Sequence, residues 1–273
     1  MEYKSIEYKS ILNKQKYIDT WFWCRYTINP YRGCEHGCIY CDARRNKYNV
    51  ENFDNLVGIK AEADLMLDEK ITRARTILPD IIATGGVCDA YQPAEREFQI
   101  TKKVFSILKK HKWPCFILTK SDLILRDIDL LKAIFKNSYL CVAFTINTTS
   151  DNSAKYFEPC SPPPSKRFEA LAKLKSNGLY AGICAIPILP YIWDKEEQLD
   201  NLFKHAKEAG ADFILFSSLT LGESMKDDFY TSLDKYQPGL SNKYKEIFIK
   251  GNYGPKKSYI IKLNKLFLKL SKK

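Results

Sequence analysis

The sequence predicts an α/β protein: an open, partial (β/α)6 barrel of the TIM type with a basic helical extension at its C-terminal end. Three observations carry this expectation. Six short β-rich runs are each followed by a helical pattern, the alternation of a parallel sheet with crossover helices. At 273 residues and 45% hydrophobic content the chain can bury a large core without disulfides or a partner. Beyond Leu221 the alternation stops, and a lysine-rich segment with an apolar helical stripe takes over. Six strand–helix units suit an open barrel better than a closed eight-fold one.

The expected domains are an N-terminal arm over residues 1–24, the partial barrel over 25–221 and the helical extension over 222–273. The arm opens on an exact tandem of EYKSI, Glu2–Ile6 and Glu7–Ile11, too short to be a structural repeat and expected to be mobile. The six strand candidates are Arg25–Asn29, Asp80–Thr84, Cys115–Thr119, Leu140–Asn147, Tyr180–Pro187 and Asp212–Ser217. Val57–Arg75, between the first two, is expected to add a strand and a helix of its own. A helix over Ala94–Lys112 is signalled by Pro93, Glu95 and the stripe Phe98, Val104, Phe105 and Leu108. Similar stripes fill Asp127–Lys136, Lys166–Asn177 and Glu196–Ala209, the last two stopping at Gly178 and Gly210. At the end of the chain Tyr259, Leu263, Leu266, Phe267 and Leu270 share a helical face, with Lys262, Lys265 and Lys269 on others, predicting a helix docked on the barrel.

The formal net charge of +11 is unevenly spread, because residues 243–273 hold ten lysines against the single Glu246. Such a segment serves either as a nucleic-acid patch or as a solvated helix face. The first sixteen residues mix lysine and glutamate and do not read as a secretory signal, so a cytoplasmic location is the expectation. No membrane association is expected, since the longest apolar stretch, Ala181 to Trp193, is broken by Pro187 and Pro190 and is too short to span a bilayer. Nine cysteines without an export signal argue for metal binding over a disulfide framework.

Three of them are clustered. The run Asn29-Pro30-Tyr31-Arg32-Gly33-Cys34-Glu35-His36-Gly37-Cys38-Ile39-Tyr40-Cys41 directly follows the first strand, which places Cys34, Cys38 and Cys41 on the catalytic face of a (β/α) barrel. Three thiolates on a four-iron cube leave one iron without a protein ligand and open to chemistry. A structural zinc site wants four closed ligands; no further cysteine or histidine stands at finger spacing beyond Cys41, and His36 is too near Cys34 to close the set easily. Cys34, Cys38 and Cys41 are therefore the candidate ligands of a 4Fe-4S cluster, with Gly33 and Gly37 letting the backbone wrap closely around it.

The CX3CX2C spacing, with the aromatic Tyr40 before the last cysteine, resembles the signature of the radical S-adenosylmethionine (SAM) superfamily. More narrowly, NPYRGCEHGCIYCDAR, the upstream Lys9-Ser10-Ile11-Leu12-Asn13-Lys14, and the downstream Asp89-Ala90-Tyr91-Gln92-Pro93 and Thr119-Lys120-Ser121 resemble the spore photoproduct lyase-like branch, often labelled DNA repair photolyase. The likeness extends over most of the chain; Ala90 stands where that branch usually has proline. The resemblance implies an enzyme in which the open iron chelates SAM, an electron breaks the sulfonium bond, and a 5′-deoxyadenosyl radical abstracts a substrate hydrogen. It also implies an external electron donor of the flavodoxin or ferredoxin type.

Other candidates follow at the barrel mouth. The resemblance implies that Tyr40 packs against the adenine, with core packing beside the cluster as the alternative. Gly85 and Gly86 end the second strand where the family's glycine motif approaches the SAM amino group, or they form a plain turn. Lys120, at the end of an apolar strand, is placed to pair with the SAM carboxylate unless it is solvated. Thr145 and Asn147 share a side by period two and offer hydroxyl and amide to ribose or carboxylate, or cap the next loop. Arg167 is a further carboxylate candidate, or a surface cation. That branch uses a cysteine in this region to return a hydrogen atom to its product, which implies a radical-relay role for Cys88, although the match is not position for position; the alternative is an inert buried thiol. Nucleic acid is a candidate substrate through the lysine-rich tail, where Tyr244, Tyr253 and Tyr259 offer rings for base stacking, and a peptide or small metabolite fits equally well. From a different class, a nucleic-acid-binding protein with a merely structural metal or iron–sulfur site accounts for the charge but not for the missing fourth ligand.

Overall fold

The computed structural model describes residues 1–20, 22–45, 50, 52–74 and 77–272. In chain order the elements are β1 (Glu2–Ser5), β2 (Leu12–Lys14), β3 (Tyr26–Ile28), β4 (Tyr31–Arg32), β5 (Leu56–Ile59), α1 (Ala63–Arg73), β6 (Ile82–Thr84), α2 (Ala94–Phe98), α3 (Ile100–His111) and β7 (Cys115–Thr119). There follow α4 (Ile128–Asn137), β8 (Leu140–Thr145), α5 (Asp151–Phe157), α6 (Pro164–Ser176), β9 (Ala181–Ile188), α7 (Glu196–Glu208), β10 (Ile214–Ser218), α8 (Lys226–Tyr236), α9 (Leu240–Ile247) and α10 (Lys257–Leu270).

The main sheet runs β10-β9-β8-β7-β6-β3-β2. Its six strands from β3 to β10 pair in parallel, and β2 adds an antiparallel edge. β10 and β2 stand at opposite edges, so the barrel is open, with six strand–helix units as expected. Alternation along each strand explains the packing: Cys115, Ile117, Val142 and Phe144 face the large core, whereas Phe116, Cys141, Ala143 and Cys184 form a second cluster on the other face. Cys115, Cys141 and Cys184 are thus small core residues.

Three expectations change. Residues 1–24 supply strands: β1 pairs in parallel with β5, and Ile6 packs onto Gly58, where a Cβ would lie 2.8 Å from its Cδ1. Lys70 Nζ ties the segment down by donating to Ser10 Oγ at 2.7 Å and Leu12 O at 3.0 Å. The helix expected over Ala94–Lys112 breaks at Gln99, whose φ is +51°. The cause is Glu95: buried and paired with Arg126, its carboxylate accepts the Thr101 N–H at 2.8 Å and so starts a second helix. Strand β8 ends at Thr145, two residues before the expected boundary. Within Val57–Arg75 the expected strand and helix are β5 and α1; Arg75 itself lies outside the described residues.

The C-terminal stripe docks as expected. Leu263, Phe267 and Leu270 are buried, and Phe267 stacks on Phe216 of β10 with centroids 3.6 Å apart. Among the described residues no helix is long and apolar enough to cross a membrane.

Candidate active site

A cavity of about 560 Å³ opens at the C-terminal ends of the parallel strands, where Cys34, Cys38, Cys41, Gly85, Lys120 and Thr145 meet. A larger hollow, about 930 Å³, lies between α7, β10 and α10 and is lined by Phe203, Phe216, Phe267 and surface charges. The thiols converge on the smaller one, which is where chemistry belongs.

The cysteine loop is held from several sides. Gly33 at φ +87° lies against the Leu56 carbonyl, 2.6 Å from where a Cβ would be, so a side chain there is excluded. The Gly33 carbonyl accepts Gln92 Nε2 at 3.1 Å, the Cys38 carbonyl accepts Arg44 Nε at 2.9 Å, and Ile39 N–H donates to Phe157 O at 3.0 Å. Burial pushes the Cys38 thiol up to about 12 and raises Cys34 and Cys41 as well. Opposing burial, the backbone N–H groups of Asp89 and Ala43 bond the sulfurs of Cys34 and Cys41, and the Lys120 ammonium lies near Cys38. These donors favour thiolates, the form that binds iron. Among the described residues no three Cys, His, Asp or Glu side chains converge closely enough to hold a single ion. The thiols instead border a shared cavity, an arrangement that fits a multi-atom cluster.

His36, which the sequence offers only as an awkward fourth metal ligand, and Asp89, which opens the family-like run ending at Pro93, pair with each other inside the site. His36 Nε2 meets Asp89 Oδ2 at 3.0 Å, and the buried Nδ1 of His36, which borders the cavity, has no partner. Asp89 also accepts from Thr119 Oγ1, Lys120 N and Tyr91 N at 2.7, 2.7 and 2.8 Å. Burial alone would raise its carboxyl; the His36 pair and these donors hold it down to about 2. Asp89 thereby joins the cysteine loop to the ends of β6 and β7.

Gly85, Gly86, Cys88, Tyr40, Lys120 and Thr145 all border the cavity. At Gly85, φ is +90° and a Cβ would sit 1.8 Å from the Leu118 carbonyl, whereas nothing lies within 4 Å of a Cβ on Gly86. Cys88 donates its thiol to Tyr31 O at 3.0 Å, and burial pushes it up to about 12. Two expected residues stand behind the wall. Asn147 lies past the end of β8, where strand periodicity no longer applies, and donates to Tyr40 Oη at 3.1 Å. Arg167, 1% exposed, donates to Thr145 O at 2.9 Å, Pro162 O at 2.7 Å and the Glu158 carboxylate, so it is neither at the surface nor open to a ligand. Glu158 also accepts the Tyr40 hydroxyl, and no local sequence pattern marks it. Burial lowers the Lys120 pKa, but Cys38 and Glu158 more than offset this and hold it above the usual lysine value.

Of the three tail tyrosines, Tyr244 is fully buried with its hydroxyl on Pro190 O, and Tyr259 bonds Asp194 at 2.8 Å. Tyr253 alone of the three borders the cavity, with the Arg45 guanidinium 4.7 Å from its ring centroid.

A family model described as the Radical SAM superfamily matches residues 28–203, from the end of β3 into α7. The chain belongs to the radical SAM superfamily. It is a radical SAM enzyme, and the family implies SAM and an iron–sulfur cluster as cofactors. Uncharacterized proteins of Mycobacterium tuberculosis and Mycobacterium bovis are 29% identical over 236 residues, covering 85% of this chain and 69% of theirs. A radical SAM Nalpha-GlyT isomerase of Pseudomonas phage M6 is 20% identical over 246 residues, covering 88% of this chain and 50% of its own. Among solved structures, a variant of spore photoproduct lyase superposes with a TM-score of 0.71 at 15% identity, covering 98% of this chain and 77% of its own. Another variant of that lyase, with bound AdoMet and dinucleoside spore photoproduct, gives 0.67 at 17% identity over 90% of this chain and 73% of its own. The radical SAM fold of this chain is thus the one seen in spore photoproduct lyase.

Proposed function

We propose that this radical SAM enzyme binds a 4Fe-4S cluster through Cys34, Cys38 and Cys41 and uses it to generate a 5′-deoxyadenosyl radical that abstracts hydrogen from a substrate at the barrel mouth. The convergence of the three thiols, their N–H donors and Lys120 on one cavity supports this reading. When bound, such a cluster supplies an open iron and the electron that splits SAM into methionine and the radical. The chain positions and shields the ligand. Lys120 offers its ammonium to the SAM carboxylate, Gly85 and Gly86 offer backbone to the amino group, Thr145 offers a hydroxyl, and the Tyr40 ring walls the adenine. Asn147 and Arg167 act from behind, fixing Tyr40 and the end of β8. Cys88, which borders the cavity with its thiol on Tyr31 O, serves in this reading to relay a hydrogen atom. Electrons come from an external carrier of the flavodoxin or ferredoxin type. The substrate passes Tyr253, whose half-exposed ring suits a nucleobase, with Lys250 and Lys256 nearby in sequence.

Anaerobic reconstitution tests the ligand set. Cys34→Ala, Cys38→Ala and Cys41→Ala should each lose the reducible cluster measured by iron, sulfide and electron paramagnetic resonance, while Cys160→Ala, on an exposed loop, should keep it. Wild-type iron and sulfide in any of the first three removes that residue from the ligand set.

A further inference from the structure

Tyr40 and Lys120 form one wall of the cavity, and a single buried carboxylate stands behind both. Glu158 directly follows α5, is 1% exposed, and is fixed by its N–H donating to Ala154 O at 2.7 Å. Its Oε1 accepts the Tyr40 hydroxyl and Asn147 Nδ2, the latter at 3.3 Å. Its Oε2 accepts Arg167 Nη2 and, at 3.4 Å, Ser161 Oγ. The Lys120 ammonium stands 4.0 Å from the same Oε1 and 5.8 Å from the Tyr40 ring centroid. Among the described residues Glu158 is the one carboxylate within 4.0 Å of it. Two cations therefore share one carboxylate, which Arg167 already holds at hydrogen-bond length. The surplus positive charge falls on Lys120, the cation that borders the cavity.

We infer that Glu158 is a positioning residue that sets the cavity's affinity for the carboxylate of SAM, and of the methionine released from it, by acting on Lys120. The inference rests on the reading that Lys120 receives that carboxylate. In the empty cavity Glu158 draws the ammonium toward the Tyr40 ring. An incoming carboxylate competes with Glu158 for the same three donors of the Lys120 ammonium. Without this counterweight Lys120 would grip SAM and the product methionine alike more firmly, and release of methionine would slow. Because Glu158 also takes the Tyr40 hydroxyl, one residue keeps ring and ammonium in register.

Glu158→Gln keeps an acceptor oxygen for Tyr40 and Asn147 and removes the charge. In the anaerobically reconstituted protein, equilibrium dialysis should give dissociation constants for SAM and for methionine about tenfold lower than wild type. In a Lys120→Met background the same substitution should change neither constant, because the cation through which it acts is gone. Glu158→Gln leaves Arg167 buried without a counter-ion, so Glu158→Gln with Arg167→Gln serves if the single variant does not fold, and it should tighten methionine binding in the same direction. Unchanged or weaker binding of both ligands in the folded variant, while Lys120→Met still weakens SAM, overturns the inference and leaves the assignment of Lys120 standing. A Lys120→Met protein that binds SAM as wild type does overturns both.

Discussion

Gly85 is the residue on which the shape of the mouth turns most sharply. Its φ of +90° and the 1.8 Å between a Cβ there and the Leu118 carbonyl bring β6 and β7 together so closely that only backbone fits. Gly85→Ala should therefore cost about 3 kcal/mol or more in urea denaturation, since relief would require opening the β6–β7 pair. Gly86→Ala, with open space around its Cβ, should change stability by less than about 1 kcal/mol. Asp89 makes a pH-dependent contribution. Its carboxyl is held down to about 2 from an ordinary 3.8, so the stabilisation it gives, about 2 kcal/mol, is present above pH 4 and lost as pH falls from 4 toward 2. Asp89→Asn should remove that loss, leaving a flatter stability curve in this range from a lower starting point; an unchanged curve would show that Asp89 does not carry it. The cysteine loop and Lys120 were legible in the sequence because spacing and strand ends mark them. His36, Asp89 and Glu158 act through partners far away in the chain, Glu158 through a tyrosine 118 positions earlier, and no local pattern records such pairs.

At the scale of elements, α10 shows an apolar stripe deciding placement while its charges stay in solvent. Phe267 lies flat on Phe216 and edges Phe203 of α7 at 5.5 Å, closing the outer side of β10. Phe267→Ala should lower stability by about 3–5 kcal/mol in thermal or urea unfolding. Reversing Lys256, Lys257, Lys265 and Lys269 to glutamate should shift stability by less than about 1 kcal/mol, because these lysines are exposed and the Lys269–Glu196 pair is a surface contact. A large loss from the lysine reversal, with little from Phe267→Ala, would contradict the docked-brace account of α10. Filter binding of the same lysine variant across a salt series reads whether the basic face also serves nucleic acid, through the slope of affinity against salt. The core strands could be read because their apolar runs are continuous. The break at Gln99 could not, because it depends on a Glu95–Arg126 ion pair across elements. β1 leaves no local sequence signal because its four residues are exposed and its pairing partner β5 lies some fifty positions on.

For the whole molecule, the open sheet sets what the site can do. Six parallel strands end at one mouth, and the gap between β10 and β2 leaves the cavity uncovered by a closed barrel. The cysteine loop enters from the β3 end, Asp89 and Lys120 from the centre, and Tyr253 from the C-terminal extension, so a ligand there touches parts of the chain more than two hundred residues apart. Alternation along the sequence indicates the six units and their order of appearance, whereas the contribution of the extension to the mouth depends on the Arg45–Tyr253 contact and shows only in three dimensions. The chemistry proposed for this mouth is the reductive cleavage of SAM. Incubating the anaerobically reconstituted, dithionite-reduced protein with SAM and following the nucleoside by chromatography tests it most directly. The expected products are 5′-deoxyadenosine and methionine in equal amounts, both abolished by Cys38→Ala; a protein that carries a full, reducible 4Fe-4S cluster, binds SAM and yields no 5′-deoxyadenosine would exclude this chemistry.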